Sequence, residues 1–146
     1  MRWAPGHDRR HDLDVVATWR LTKYRFGARF GFATGTPYTP IIGEIARRVY
    51  DPSRDSWGTG NSRLWIEALG GARNTARFPA THRLDLDASR EFQFRGASVS
   101  PYLSVVNTYN AQNVFVYLYD YSTDAPTRRA ISQFPVLPSL GVRVVF

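Results

Sequence analysis

The sequence predicts an all-β fold: an antiparallel up-and-down meander of about five long strands, forming an incomplete segment of a transmembrane β-barrel. Three observations predict it. Apolar and polar residues alternate with period two over stretches of about ten residues, the length a tilted strand needs to cross a bilayer. Aromatic residues gather on the apolar faces of those stretches, toward one end. Connections alternate between very short turns and long segments, as they do on the two sides of a membrane barrel.

The last strand states the pattern most clearly. In 138–146, Leu140, Val142, Val144 and Phe146 share one face, and Gly141 and Arg143 the other, with Val145 the apolar exception. A bulky aromatic at such a strand end fits a membrane interface, with the ring at the boundary and the carboxylate in water.

From the start, residues 1–11 read as loop around Pro5-Gly6. His7, Asp8, His11 and Asp12 are conceivable metal ligands, but no second cluster completes a coordination sphere, so no metal is expected. In 12–22, Leu13, Val15, Ala17, Trp19 and Leu21 oppose Asp12, Asp14, Thr18 and Arg20. After the short turn Thr22-Lys23, Tyr24, Phe26, Ala28, Phe30 and Phe32 oppose Arg25, Gly27, Arg29, Gly31 and Ala33. Two such runs joined so tightly predict a β-hairpin.

Residues 34–80 break the alternation with recurrent Gly, Pro, Asn and Ser. They read as a long extracellular loop region, with Ile45–Tyr50 and Leu64–Leu69 as short strands or helical turns within it. A connection of that length is odd in a compact soluble domain. In 82–94, Leu84, Leu86, Ala88, Phe92 and Phe94 oppose Arg83, Asp85, Asp87, Ser89 and Glu91, and Arg90 intrudes on the apolar face. Arg95-Gly96-Ala97 is a tight turn. Residues 98–121 read as one long strand or two collinear pieces, with Asn107-Thr108-Tyr109-Asn110 a candidate interruption. Pro101 lacks a ladder donor, which predicts a bulge or weak pairing there. Residues 122–137 read as an extracellular hairpin or loop around Asp124-Ala125-Pro126.

With the short turns on the periplasmic side, Trp19, Tyr24, Phe26, Phe92, Phe94 and Phe146 fall near one level of the apolar face, a membrane-interface girdle. The opposite face carries Arg20, Arg25, Arg29, Arg83, Asp85, Asp87, Glu91 and Arg143 as lumen-facing candidates, with Arg25 and Arg29 expected to balance Asp85 and Asp87.

Composition restricts the alternatives. There is no cysteine, hence no disulfide framework or thiolate metal site. No apolar run is long enough for a membrane helix, and no signal peptide opens the chain, so a membrane reading requires strands and an export signal carried elsewhere. The net charge of +7 comes from 19 basic against 12 acidic residues, almost all the bases being arginine. They are scattered among acids rather than clustered, which argues against nucleic acid as a partner. His7, His11 and His82 are the only histidines, and neither a nucleophile-elbow spacing nor a phosphate-binding glycine loop occurs, so neither an enzyme nor a cofactor is expected.

Several segments in order carry a family resemblance: Asp8-Arg9-Arg10-His11 before a strand, Ala33-Thr34-Gly35-Thr36-Pro37-Tyr38-Thr39-Pro40, and Ala76 through Leu86 with its Arg77-Phe78-Pro79 and Arg83-Leu84-Asp85. Leu103 through Asn110 followed by Asn113-Val114, and the closing Leu137-Pro138-Ser139-Leu140-Gly141 with Phe146, complete the set. The chain resembles the C-terminal end of TonB-dependent outer-membrane receptors of the carboxypeptidase-regulatory-like or SusC-like kind. Pro101, where that pattern expects an outward aliphatic residue, departs from it.

The resemblance implies a barrel of about 22 strands with a plug in its lumen. This chain would then supply C-terminal wall and extracellular loops, without the plug. It implies active import of a scarce ligand across a Gram-negative outer membrane. Implied partners are outer-membrane lipid, the remainder of the barrel, the plug, and the TonB energy-coupling complex. The barrel-assembly machinery would read the final strand through Leu140, Val142, Val144 and Phe146. Two alternatives remain at this level: a small stand-alone barrel of the porin or adhesin kind, needing at least about eight strands, and a soluble, basic β-sheet binding module.

Overall fold

The computed structural model describes residues 4–48, 50–57, 64–120 and 127–146. Among them the chain is all-β, with antiparallel pairing and no helix. In chain order the strands are β1 (Asp12–Leu21), β2 (Tyr24–Ala33), β3 (Pro37–Tyr38), β4 (Ile41–Arg48), β5 (Tyr50–Asp51), β6 (Ser56–Trp57) and β7 (Leu64–Gly70). They continue with β8 (Ala76–Arg77), β9 (Thr81–Arg90), β10 (Phe92–Phe94), β11 (Ala97–Val106), β12 (Val114–Asp120), β13 (Thr127–Ser132) and β14 (Leu137–Val145).

One sheet dominates. It runs β1-β2-β9-β11 with β14 on the far side of β11, and β10 continues β9 along β11. Its long strands therefore lie side by side in chain order, as a meander. The sheet is open: β1 and β14 each pair on one side only among the described residues. The hairpins follow from local chemistry. Arg95 and Gly96 both adopt positive φ, 49° and 86°. That is the conformation of a two-residue type I′ turn, whose twist matches the flanking strands and which favours glycine at its second position.

Pro101 interrupts pairing without a bulge. Tyr102 lies opposite Ser89 and Val99 opposite Phe92, so the register is the same on either side of the gap. The two pairs missing between them, Pro101 with Arg90 and Ser100 with Glu91, are those that need a Pro101 N–H. On its other edge β11 pairs with β14 without a break through Pro101 and Val142. On the opposite edge of β9, the Glu91 N–H bonds the Lys23 carbonyl at 2.8 Å, one step beyond the Tyr24–Arg90 pair.

Two stretches are organised differently from the sequence expectation. Segment 34–80 contains paired strands: β4 with β7, β5 with β6, and β3 with β8. Segment 98–121 is two strands in separate sheets, because Asn107 and Asn110 take positive φ of 56° and 54° and turn the chain away after Val106. β12 pairs with β13 instead. The tip at 124–126 lies outside the described residues.

The chain divides into two compact units. One holds 9–35, 78–117 and 130–146, including the main sheet; the other holds 1–8, 36–77 and 118–129. In the second, Arg77 pairs with Asp8 and donates to its backbone carbonyl at 2.9 Å. The Asn74 side-chain amide donates to the Ala4 carbonyl at 2.6 Å.

Candidate functional site

The main sheet has two faces of opposite chemistry, and the backbone register assigns each residue to one of them. On one face, Trp19 stands opposite Phe26, and Phe26 opposite Ala88. Ala88 stands opposite Leu103, and Leu103 opposite Leu140. Leu13, Val15, Leu21, Phe30, Leu86, Val142, Val144 and Phe146 join them and are all exposed, Leu140 to 81%. The only buried hydrophobic residues among those described are Ala33 and Ala111. A chain of this length that folds around its own core buries most of the surface its unfolded form exposes. Here the large apolar side chains point outward.

The aromatics on this face descend in steps. Trp19 on β1 and Phe26 on β2 share the cross-strand row that ends at Leu140. Tyr24 lies one row nearer the short turns, opposite Arg90. Phe92 lies two rows nearer, opposite Val99, and Phe94 three rows nearer, opposite Ala97. Phe146 follows the last paired residue of β14, Val145, and lies six residues beyond Leu140.

The other face is charged, and its charges segregate. Toward the end away from the short turns, ion pairs form: Arg29 with Asp14 at 3.1 Å, Arg83 with Asp85 at 2.9 Å, Arg9 with Asp12 at 3.4 Å. This corrects the expected pairing of Asp85 and Asp87 with Arg25 and Arg29. Arg29 is opposite Asp85 in register but reaches across to β1, and Asp85 is taken by Arg83 two residues away on its own strand. Asp87 lies over Gly27, where a Cβ would fall 2.1 Å from its carboxylate.

Near the turns, Arg20, Lys23, Arg25 and Arg143 line one depression of about 420 Å3 together with Asp87, Glu91, Ser100 and Tyr102. None of the four cations forms an ion pair among the described residues. Glu91 is occupied by Gln93 Nε2 and Ser98 Oγ, each at 2.9 Å. The structure thus gathers Arg20, Arg25, Glu91 and Arg143 with Asp87, and leaves Arg29, Arg83 and Asp85 in the paired end. Tyr102 packs its ring on Gly141 directly opposite; a Cβ there would sit 2.4 Å from the ring. Glycine allows this close approach where any side chain would displace the tyrosine.

Two asparagines hold the far end of the sheet, and sequence reasoning did not single them out as anchors. Asn107 is 2% exposed. Its side chain donates to the Ala111 and Phe134 carbonyls at 3.1 and 3.0 Å and accepts from the Ala111 N–H at 2.8 Å, while its own N–H donates to Asp85 at 2.9 Å. Asn113 closes a reciprocal pair with the His82 backbone, at 3.0 and 2.8 Å. The available signal was Asn in a turn-forming cluster; asparagine tolerates left-handed φ and bonds local backbone. No group of three or more metal-ligating side chains occurs among the described residues: Asp8 is held by Arg77, and Asp12 by Arg9.

Comparison of the chain with family models, with curated proteins and with solved structures finds no match.

Proposed function

We propose that this chain is wall of a Gram-negative outer-membrane β-barrel, its apolar face against lipid and its charged face toward the lumen. The observation that carries the reading is the stepped descent of aromatics on an exposed apolar face. From Trp19 on the first long strand to Phe146 on the fifth, the offset is six residues, roughly 20 Å at about 3.4 Å per residue. Four strand spacings of about 4.8 Å make roughly 19 Å. An offset in that ratio is level if the strands tilt by about 45°, and membrane barrels tilt theirs by about 35–45°. At that tilt a ten-residue strand of about 34 Å spans roughly 24 Å, close to the apolar band of such barrels.

In this reading the sheet's open edges at β1 and β14 pair with further barrel strands, and Arg20, Lys23, Arg25 and Arg143 face whatever fills the lumen. The motif order supports a TonB-dependent receptor of the carboxypeptidase-regulatory-like or SusC-like kind, importing a scarce ligand. Its partners would be the plug, the energy-coupling complex and the assembly machinery that reads the strand ending in Phe146.

The test uses Trp19 as a depth probe. A variant with Trp3, Trp57 and Trp65 changed to phenylalanine is reconstituted into vesicles whose lipids carry bromine near the headgroup or deep in the acyl chain. Quenching strongest by the shallow bromine supports the reading. Quenching by aqueous iodide alone, with none from either lipid, would defeat it.

A further inference from the structure

We infer that Arg90 and the groove beside it bind an anionic glycerophospholipid; the inference rests on the membrane reading above. Arg90 is the one charged residue of β9 on the apolar face. Its guanidinium carbon lies 5.0 Å from the centroid of the Tyr24 ring and 4.6 Å from that of Phe92. It forms no ion pair among the described residues. Two aromatic rings hold the cation against the sheet without neutralising it, because a π face attracts a cation but adds no negative charge. Arg90 also lies at the level of the stepped aromatics, one row from Trp19 and Phe26. An arginine there can keep its charged head at the headgroup boundary while its stem lies on apolar surface.

An apolar groove of about 560 Å3 opens beside it, walled by Tyr24, Phe26, Leu103, Leu140 and Val142 over a floor of Ala88 and Pro101. A second of about 490 Å3 shares Phe26, Ala88 and Leu103 and continues along the strands over Ala17, Ala28 and Leu86. Small residues in consecutive rows thus leave a trough running from the cation toward the middle of the apolar face. A phosphate at Arg90 and an acyl chain in the trough satisfy both features with one molecule. Pro101, a departure from the resembled pattern, acquires a role: its flat ring forms groove floor where an aliphatic side chain would stand.

The test compares affinity of the full chain for vesicles of pure phosphatidylcholine and for vesicles with added phosphatidylglycerol. One near-surface arginine contributes about fivefold to association with an anionic membrane. The expected result is that R90Q loses about that factor of the preference for phosphatidylglycerol. R20Q, the same charge change on the opposite face, should lose less than about twofold. A88F, which fills the groove without changing charge, should reduce the phosphatidylglycerol retained on the chain through detergent exchange. Equal losses for R90Q and R20Q, or retention unaffected by A88F, would overturn the inference and leave the membrane reading intact. Failure of the unmodified chain to bind even phosphatidylcholine would sink both.

Discussion

Asn107 and Arg29 are both polar residues with partners on the charged side of the sheet, yet their contributions differ in kind. Asn107 is buried and satisfies three backbone groups, two of them on buried Ala111 and a part-buried one at Phe134. Removing its side chain leaves those groups unpaired, which costs about 1–3 kcal/mol for each well-buried one. Arg29 and Asp14 are both about half exposed, and such a pair is worth at most about 1 kcal/mol. Asn107→Ala should therefore destabilise the folded sheet by about 2–4 kcal/mol, and Arg29→Ala by under about 1 kcal/mol, in denaturant titrations in detergent. Equal effects would contradict the assignment. Alternation along the strands made the face of Arg29 legible. Its partner was not, because several carboxylates lie within side-chain reach and register alone does not choose among them. Asn107 was readable as a turn former, but not as a buried hub, because its partner Phe134 lies 27 residues away and its partners offer only backbone carbonyls and an N–H.

At the scale of elements, the long strands were legible because period two persists over about ten residues with few exceptions. Their interruptions had local causes. The gap between β9 and β10 traces to the N–H that Pro101 lacks. Pro101→Val should restore the pairs with Arg90 and Glu91 and merge the two strands. A gain of about 0.5–1.5 kcal/mol is expected, with a slowly exchanging amide at position 101; a rapidly exchanging amide would show that the gap has another origin.

Segment 34–80 was harder to read. Glycine, proline and serine recur through it, and its strands are short or lack strict alternation. The β5–β6 hairpin is held by the Tyr50 and Trp57 rings, 5.3 Å apart, and by a hydrogen bond from the Tyr50 hydroxyl to Asp55. The neighbouring carboxylate raises the phenol pKa above its usual value of about 10. A raised pKa means that the folded form holds the proton more tightly. The contribution is present below the ordinary phenol pKa and is lost as pH rises through the raised one. Ultraviolet titration of the chain against Y50F should show Tyr50 ionising later than free tyrosine, and D55N should return it toward the ordinary value. Ionisation of Tyr50 at the ordinary value in the unmodified chain would contradict the hydrogen bond.

At the scale of the whole molecule, the main sheet has one face of exposed apolar side chains, one of segregated charge, and two edges unpaired among the described residues. The order of its strands was legible from turn lengths. Short turns force neighbours, and the turn-rich 34–80 and 107–136 allowed the chain to return beside the strand it had left. The level of the aromatics was only partly legible. It needs the cross-strand register, which depends on where each ladder begins, and that in turn depends on the turns at Thr22-Lys23 and Arg95-Gly96.

In the proposed arrangement lipid, and not protein or water, covers the face bearing Leu140. The chain has no cysteine, so single cysteines can be introduced along β14 without background. In a reconstituted membrane, cysteines at positions 140, 142 and 144 should be modified by lipid-partitioning thiol reagents and shielded from aqueous ones. Those at 139, 141 and 143 should behave oppositely. Uniform aqueous reactivity along the strand, or an alternation in which the 140, 142 and 144 set reacts with neither reagent because protein covers it, would contradict the account.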